Sequence, residues 1–172
     1  MSTTCGMLRL AARSLSSPGE MLQRVHEALH PSIPANMFVT CFYAHLDPES
    51  GSLRYANAGH DLPYLWQSGE AQELRARGMP LGLMPGMRYE EKEITLQADE
   101  AALFYSDGLV EAHDPKGEMF GFPRLRELVS EHAEERPLGA FLLEELYSFV
   151  GDGWEQEDDI TLLTLRRAAA SR

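Results

Sequence analysis

Residues Ala102 to Glu111 read Ala-Leu-Phe-Tyr-Ser-Asp-Gly-Leu-Val-Glu, and the rest of the chain is interpreted outward from this segment. Its apolar start predicts a buried strand, which stops at a small polar residue, a carboxylate and a glycine. Asp107 therefore stands at the end of a rigid element, and Gly108 leaves room beside it for an ion or another backbone, since it has no Cβ. Asp107 is a candidate metal ligand. A plain turn is the alternative, because Asp-Gly is among the commonest turn dipeptides.

A second acidic site near the C-terminus favours the metal interpretation. Glu155-Gln-Glu-Asp-Asp leads directly into the apolar segment Ile160 to Leu165, which predicts a strand. If the two strands are antiparallel neighbours, the end of one and the start of the other bring Asp107 and Asp158 together. Facing carboxylates repel each other unless they are protonated or bridged by a cation. Oxygen ligands without thiolates favour Mg²⁺ or Mn²⁺ over zinc.

Length and charge narrow the classes of protein and partner. The 172 residues predict one domain, residues 1–172, with a substantial core. The 27 acidic and 15 basic side chains give a net charge of −12, which argues against nucleic acid or an anionic membrane as the main partner. No stretch approaches the roughly 18 apolar residues of a membrane span, and the N-terminus has no signal-peptide pattern.

The two cysteines, Cys5 and Cys41, lie far apart and form no C-x-x-C motif. The strand setting of Cys41 predicts a small hydrophobic side chain in the interior rather than a redox group. A reduced, cytoplasmic setting fits this cysteine usage best.

The order of elements predicts an α+β fold. Helices are expected over residues 3–15, 18–30, 123–132 and 138–150, and strands over 37–46, 52–58, 62–67, 90–96, 102–105 and after 158. Strands framed by helices imply a layered domain with antiparallel sheet rather than a parallel βαβ fold. The strand over 37–46 is apolar on both faces, which predicts a central strand covered on each side.

Two histidines, His26 and His30, lie four residues apart on the second predicted helix. They could share a metal ion, but no third ligand is near in the sequence. We therefore favour a solvated helix face for them.

Five segments of the chain carry a family resemblance: Met37-Phe-Val-Thr40, Tyr55-Ala-Asn-Ala-Gly-His60, Met79-Pro-Leu-Gly-Leu83, Phe104-Tyr-Ser-Asp-Gly-Leu-Val-Glu-Ala112 and Asp158-Asp-Ile-Thr161. In these segments and their order the chain resembles the SpoIIE-like branch of the metal-dependent protein phosphatases, the PPM family. The resemblance implies an α/β/β/α sandwich of two antiparallel sheets flanked by helices. It also implies a binuclear Mg²⁺ or Mn²⁺ site and hydrolysis of phosphoserine or phosphothreonine on a protein.

The resemblance assigns roles to individual residues. Asp107 and Asp158 match the metal-binding, catalytic acids of the S-D-G and D-D-I-T motifs, and Gly108 is the small neighbour of the first. Asp159 either ligates the metal directly or buttresses the site. Gly59 and His60 match the N-A-G-H turn, for which we expect a structural role.

The chain also departs from the family pattern. The family domain begins with strands carrying a G-D-V-S-G-H-G-like motif, whose Asp bridges both metals, and no such motif occurs in this sequence. We expect that the N-terminal strands and this first metal motif are missing. We therefore expect the chain to bind Mn²⁺ weakly and to have low activity.

Two functions remain in view. The first is a phosphoprotein phosphatase that acts on a phosphorylated anti-anti-sigma-type regulator in bacterial signalling, with a second copy of the chain as a candidate partner. The second is a catalytically inactive pseudophosphatase that binds a partner without hydrolysis. They differ in metal-dependent turnover.

Overall fold

A computed structural model describes residues 2–13, 17–34, 36–133 and 137–168. The chain divides into two compact units, Met1–His60 with Arg75–Leu96 (unit 1) and Asp61–Leu74 with Gln97–Arg172 (unit 2). The helices in the described ranges are α1 Ser2–Ala11, α2 Pro18–Leu29, α3 Asp107–Val110, α4 Phe122–His132 and α5 Leu138–Val150. The strands there are β1 Cys41–Leu46, β2 Ser52–Ala58, β3 Tyr64–Gln67, β4 Glu70–Glu73, β5 Glu91–Thr95, β6 Ala101–Tyr105 and β7 Leu162–Arg166.

Unit 1 packs α2 on a three-stranded antiparallel sheet with strand order β1-β2-β5. The hydroxyl of Ser17 caps α2 by accepting a hydrogen bond from the Glu20 amide at 3.2 Å, and Pro18 opens the helix, as predicted. The apolar face of α2 packs on alanines of β2 in a core formed by Met21, Leu22, Val25, Leu29, Ala56, Ala58, Leu81 and Tyr89. The predicted first helix is confirmed as α1 but ends at Ala11, and residues 14 and 15 lie outside the described residues.

The prediction of a central strand over residues 37–46 is wrong. The strand begins only at Cys41, and among the described residues it is the edge strand of its sheet, hydrogen-bonded to β2. Met37 and Phe38 precede it and are 55% and 53% exposed. Apolar residues on both faces of a strand reflect its composition, and they do not determine which strands pair with β1. Cys41 is only half-buried and packs against the core of unit 1, and burial raises the pKa of its thiol to about 11, which keeps it protonated.

The loop before β5 is fastened to α2 by two histidines. The Gly82 amide donates a hydrogen bond to Nδ1 of His26 at 3.1 Å, and Nδ1 of His30 lies 2.9 Å from the Gly82 carbonyl oxygen. The two rings stack with centroids 5.7 Å apart. His26 is only 1% exposed, so the predicted solvated helix face is wrong for it. A neutral imidazole can be buried when its ring nitrogens have hydrogen-bond partners.

The burial of His26 predicts a loss of stability in acid. Burial, followed by the nearby His30, lowers its pKa below 6.5, against smaller opposing effects from the Met84 backbone and Glu27. The unfolded chain then takes up the proton first, so the stabilisation is full above about pH 6.5 and falls as the pH drops from there towards the folded pKa. We expect urea midpoints to fall less between about pH 7.5 and pH 5 in His26→Gln than in the parent protein. Equal falls would contradict this role.

Unit 2 packs α4 and α5 on a four-stranded antiparallel sheet with strand order β4-β3-β6-β7. The central strand β6 is the predicted apolar stretch, and its Ala102 and Leu103 are fully buried. Helix α4 contacts β3 and β4, while α5 contacts β7. The core includes Tyr64, Leu103, Leu109, Phe120, Leu125, Leu142 and Leu146. None of the helices in the described part of the chain is long and apolar enough to cross a membrane.

Candidate metal centre

The two acidic segments meet at one edge of the sheet in unit 2. Strands β6 and β7 are hydrogen-bonded and antiparallel, with Tyr105 opposite Leu162 and Ala101 opposite Arg166. The residues after β6 and those before β7 therefore lie side by side. The prediction that these strands are antiparallel neighbours is confirmed.

Asp107 stands where β6 ends and opens the one-turn helix α3. Ser106 is still extended, and the Glu111 amide donates to the Asp107 carbonyl oxygen at 2.9 Å, which closes the helical turn. The Asp107 side chain is exposed, and its Oδ1 accepts a hydrogen bond from the Gly108 amide at 3.0 Å. The strand thus delivers an exposed carboxylate whose orientation is set by the next residue.

Gly108 is the point of closest approach between the two segments. A Cβ on this residue would lie 2.8 Å from the Asp159 carbonyl oxygen and 3.3 Å from the Asp158 carbonyl carbon. Real Cβ atoms do not come this close to backbone, so only glycine lets the two segments of the chain pack here. The room predicted beside Asp107 is filled by the backbone of the second acidic segment.

Asp158 and Asp159 are both exposed on the segment that leads into β7. Oδ1 of Asp158 accepts a hydrogen bond from the Asp159 amide at 2.7 Å, which parallels the arrangement at Asp107. The Gln156 side chain donates to the Asp158 carbonyl oxygen at 2.8 Å. Asp159 meets the first segment through its backbone carbonyl, since Oγ of Ser106 donates to it at 2.8 Å.

Ser106, the serine of the S-D-G motif, is a further part of the site that its sequence pattern did not predict. Besides donating to Asp159, Oγ of Ser106 accepts a hydrogen bond from the Thr161 amide at 2.9 Å. The Ser106 amide also donates to the Thr161 carbonyl oxygen at 3.1 Å. The only sequence signal was the position of a small hydroxyl residue directly before the acid.

A second contact holds the acidic loop that precedes Asp158. Nδ1 of His113 and Oε2 of Glu157 lie 3.2 Å apart, which ties this loop to the residues that follow α3. Trp154, in the same loop, packs against the core of unit 2. The loop is therefore attached at two points just upstream of the acids.

The donor set suits a hard divalent cation. Asp107 and Asp158 offer exposed carboxylate oxygens on two segments in backbone contact. Mg²⁺ is commonly held in proteins by one or two carboxylates and keeps several waters, so an acid pair of this kind fits it. Within the described ranges, no three His, Cys, Asp or Glu side chains are grouped closely enough to hold an ion by themselves.

The N-A-G-H motif in unit 1 forms a turn, as predicted. The Asn57 side chain donates to the His60 carbonyl oxygen and accepts from the His60 amide, both at 2.8 Å. Gly59 has a φ of +71°, and a Cβ there would lie 2.7 Å from Pro80. These contacts join the motif to the M-P-L-G-L segment within the same unit.

Comparisons with known proteins agree with this architecture. The family described as Stage II sporulation protein E (SpoIIE) matches residues 1–168. Phosphoserine phosphatase RsbU of Bacillus subtilis is 26% identical over 169 residues, which are 94% of this chain and 50% of RsbU. The chain spans half the length of RsbU and a smaller part of other curated relatives. It is 32% identical to protein IcfG of Synechocystis and covers 21% of that protein.

Solved structures share the fold. The RsbU and RsbW domains of Rv1364c from Mycobacterium tuberculosis match with a TM-score of 0.81 and 29% identity, over 100% of this chain and 48% of that one. The manganese-soaked SpoIIE phosphatase domain of Bacillus subtilis matches with a TM-score of 0.66 over 98% of this chain and 75% of that one, and at 14% identity it supports the fold alone.

Two antiparallel sheets with helices are the fold of a PP2C-type phosphatase domain. The α+β class predicted from the sequence is therefore confirmed. The chain belongs to the SpoIIE family, whose members are metal-dependent phosphatases of bacterial signalling.

Proposed function

We propose that this chain is a metal-dependent serine/threonine phosphoprotein phosphatase domain, with Asp107 and Asp158 as its catalytic metal ligands. The observation that carries the proposal is the contact at Gly108, which joins the two acidic segments. Mg²⁺ or Mn²⁺ is the proposed cofactor, with two ions in a complete domain. A phosphorylated anti-anti-sigma-type regulator is the proposed substrate. The name of the relative RsbU, a phosphoserine phosphatase, supports phosphoserine as the group that is hydrolysed.

A bound cation and the residues of the chain would make separate contributions to the reaction. A divalent cation bound by carboxylates polarises a phosphoryl group and makes a water molecule a better nucleophile near neutral pH. Asp107 and Asp158 supply the negative charge that retains the cation, and the amides of Gly108 and Asp159 orient one oxygen of each carboxylate. Gly108 provides the close packing, and Asp159 is proposed as a direct ligand or a support of Asp158.

The proposal is tested with the purified 172-residue chain, Mn²⁺ and a phosphoserine-bearing anti-anti-sigma protein. We expect slow release of phosphate that requires Mn²⁺ and stops on chelation with EDTA. A phosphotyrosine peptide serves as the control for substrate class, and we expect little release from it. Release that is unaffected by EDTA would contradict a metal-dependent mechanism.

An inactive binding module is the second candidate. It is favoured by the small ligand set, because the described part of the chain groups no three metal-ligating side chains. This alternative predicts stoichiometric binding of the phosphorylated regulator without any release of phosphate. Binding and phosphate release measured on the same sample therefore separate the two functions.

The remaining features of the proposal concern the setting of the domain. The thiols of Cys5 and Cys41 are free, which supports a reducing, cytoplasmic compartment. The net charge of −12 supports a protein partner over nucleic acid or an anionic membrane. We keep a single domain over residues 1–172 and a homodimer as proposals.

A further inference from the structure

The Ser106 side chain, next to a candidate ligand, makes two hydrogen bonds to a distant backbone segment. Its hydroxyl donates to the Asp159 carbonyl oxygen at 2.8 Å and accepts from the Thr161 amide at 2.9 Å, across 53 and 55 residues of chain. Both partners belong to the backbone that carries Asp158. One hydroxyl thus holds the backbone on both sides of Ile160, where the second acidic segment leads into β7.

The backbone ladder alone does not hold this segment. Regular pairing between β6 and β7 ends at Tyr105 and Leu162, and one further bond joins the Ser106 amide to the Thr161 carbonyl oxygen. Upstream of Thr161 the chain is no longer in a strand. The hydroxyl of Ser106 therefore continues the connection towards the acids where the ladder has stopped.

We propose that Ser106 is a positioning residue of the metal site, which keeps Asp158 at a fixed distance from Asp107 through its two backbone hydrogen bonds. This inference rests on the proposed function, since it assumes that the two acids share a cation. It adds a residue that touches neither the cation nor the substrate. Groups of this kind orient metal ligands, and their loss commonly lowers metal affinity 10- to 100-fold.

The chain contains a matched control in Ser130 of α4. Its hydroxyl accepts a hydrogen bond from the Ala71 amide at 3.1 Å and donates to the Arg126 carbonyl oxygen at 2.9 Å. Ser130→Ala thus removes one accepted and one donated backbone bond in unit 2, as Ser106→Ala does, but it touches neither acidic segment. A loss that reflects stability alone should be similar in the two variants.

The experiment follows Mn²⁺ binding by paramagnetic broadening of backbone amide signals in the ¹⁵N-labelled chain, which also detects weak binding. In the parent protein we expect the amides of residues 107–108 and 158–159 to broaden together. Ser106→Ala should require about 10-fold more Mn²⁺ for the same broadening. Ser106→Thr, which keeps the hydroxyl on an extended backbone, and Ser130→Ala should stay within about twofold of the parent.

The outcomes distinguish the positioning role of Ser106 from the proposed metal-dependent function on which it rests. Broadening of both segments in the parent, with no shift in Ser106→Ala, would overturn the positioning role and leave the metal site standing. An absence of broadening in the parent would overturn both. If Ser106→Ala does not fold, Ser106→Cys replaces it, because a thiol keeps the shape but makes weaker hydrogen bonds. A Ser106→Cys variant that binds Mn²⁺ like the parent would then refute the role.

Discussion

Asp107→Asn is expected to lower Mn²⁺-dependent phosphate release by on the order of 100-fold or more, with little change in folding. Asparagine keeps the size of the side chain and an oxygen that can accept from the Gly108 amide, a bond of 3.0 Å in the parent. It removes only the charge that retains the cation. Because Asp107 is exposed, its neutral replacement leaves no buried group without a partner.

The control for charge is Asp47→Asn in the turn between β1 and β2. Asp47 also accepts a hydrogen bond from a backbone amide, that of Glu49 at 3.0 Å, and it loses the same charge. We expect its turnover to remain within about twofold of the parent, since Asp47 belongs to neither of the two acidic segments. Phosphate release and the thermal midpoint are measured for both variants. Parental turnover in Asp107→Asn would remove Asp107 from the site.

Gly108→Ala should damage both the fold and the site. The new Cβ would start 2.8 Å from the Asp159 carbonyl oxygen, so the second acidic segment must move away. Overpacking of this kind costs about 1 to 3 kcal/mol, and the free energy of unfolding should fall by that amount in urea titrations. The displaced segment carries Asp158, so the Mn²⁺ concentration needed for half-maximal binding should also rise.

Gly139→Ala is the control for this substitution. Gly139 lies in α5 of the same unit, and a Cβ there meets Thr164 at an ordinary contact distance of 3.7 Å. Alanine in a helix is favoured over glycine by up to about 1 kcal/mol, so this variant should be slightly more stable. If Gly108→Ala were as stable as Gly139→Ala, the close contact with Asp159 would not exist in solution.

Helices and strands that are bounded by proline, glycine or turn residues could be predicted closely from the sequence. Helix α5 spans Leu138–Val150 as predicted, because Pro137 precedes it and Gly151 follows an amphipathic run. Strand β2 likewise has its predicted bounds, Ser52–Ala58, after the turn that begins at Asp47. Local residue chemistry sets where such elements start and stop.

Features that depend on neighbours could not be predicted. The edge position of β1 follows from strand pairing and not from its own pattern. The short strand β4 was not predicted, because Glu70–Glu73 holds three polar residues and is recognisable only through its pairing with β3. The burial of His26 depends on Gly82, which is 56 residues away.

In the candidate site, too, features set by local sequence could be predicted, and features that depend on distant residues could not. The acids could be found because each stands beside an apolar strand, and their meeting followed from antiparallel pairing of β6 and β7. The one-turn helix at Asp107 and the bonds of Ser106 to Asp159 and Thr161 were not foreseen. They join residues that are distant in the chain, and side-chain hydrogen bonds of that kind leave no periodic signal.

Crystals of the chain soaked in Mn²⁺ show whether Asp107 and Asp158 hold the same divalent cation. An anomalous difference map recorded at the manganese absorption edge locates the ion without reference to any assumed ligand. We expect a peak in contact with a carboxylate oxygen of each acid, at the edge where β6 ends and β7 begins. A fully occupied manganese peak elsewhere, or one bound to a single one of these acids, would contradict it.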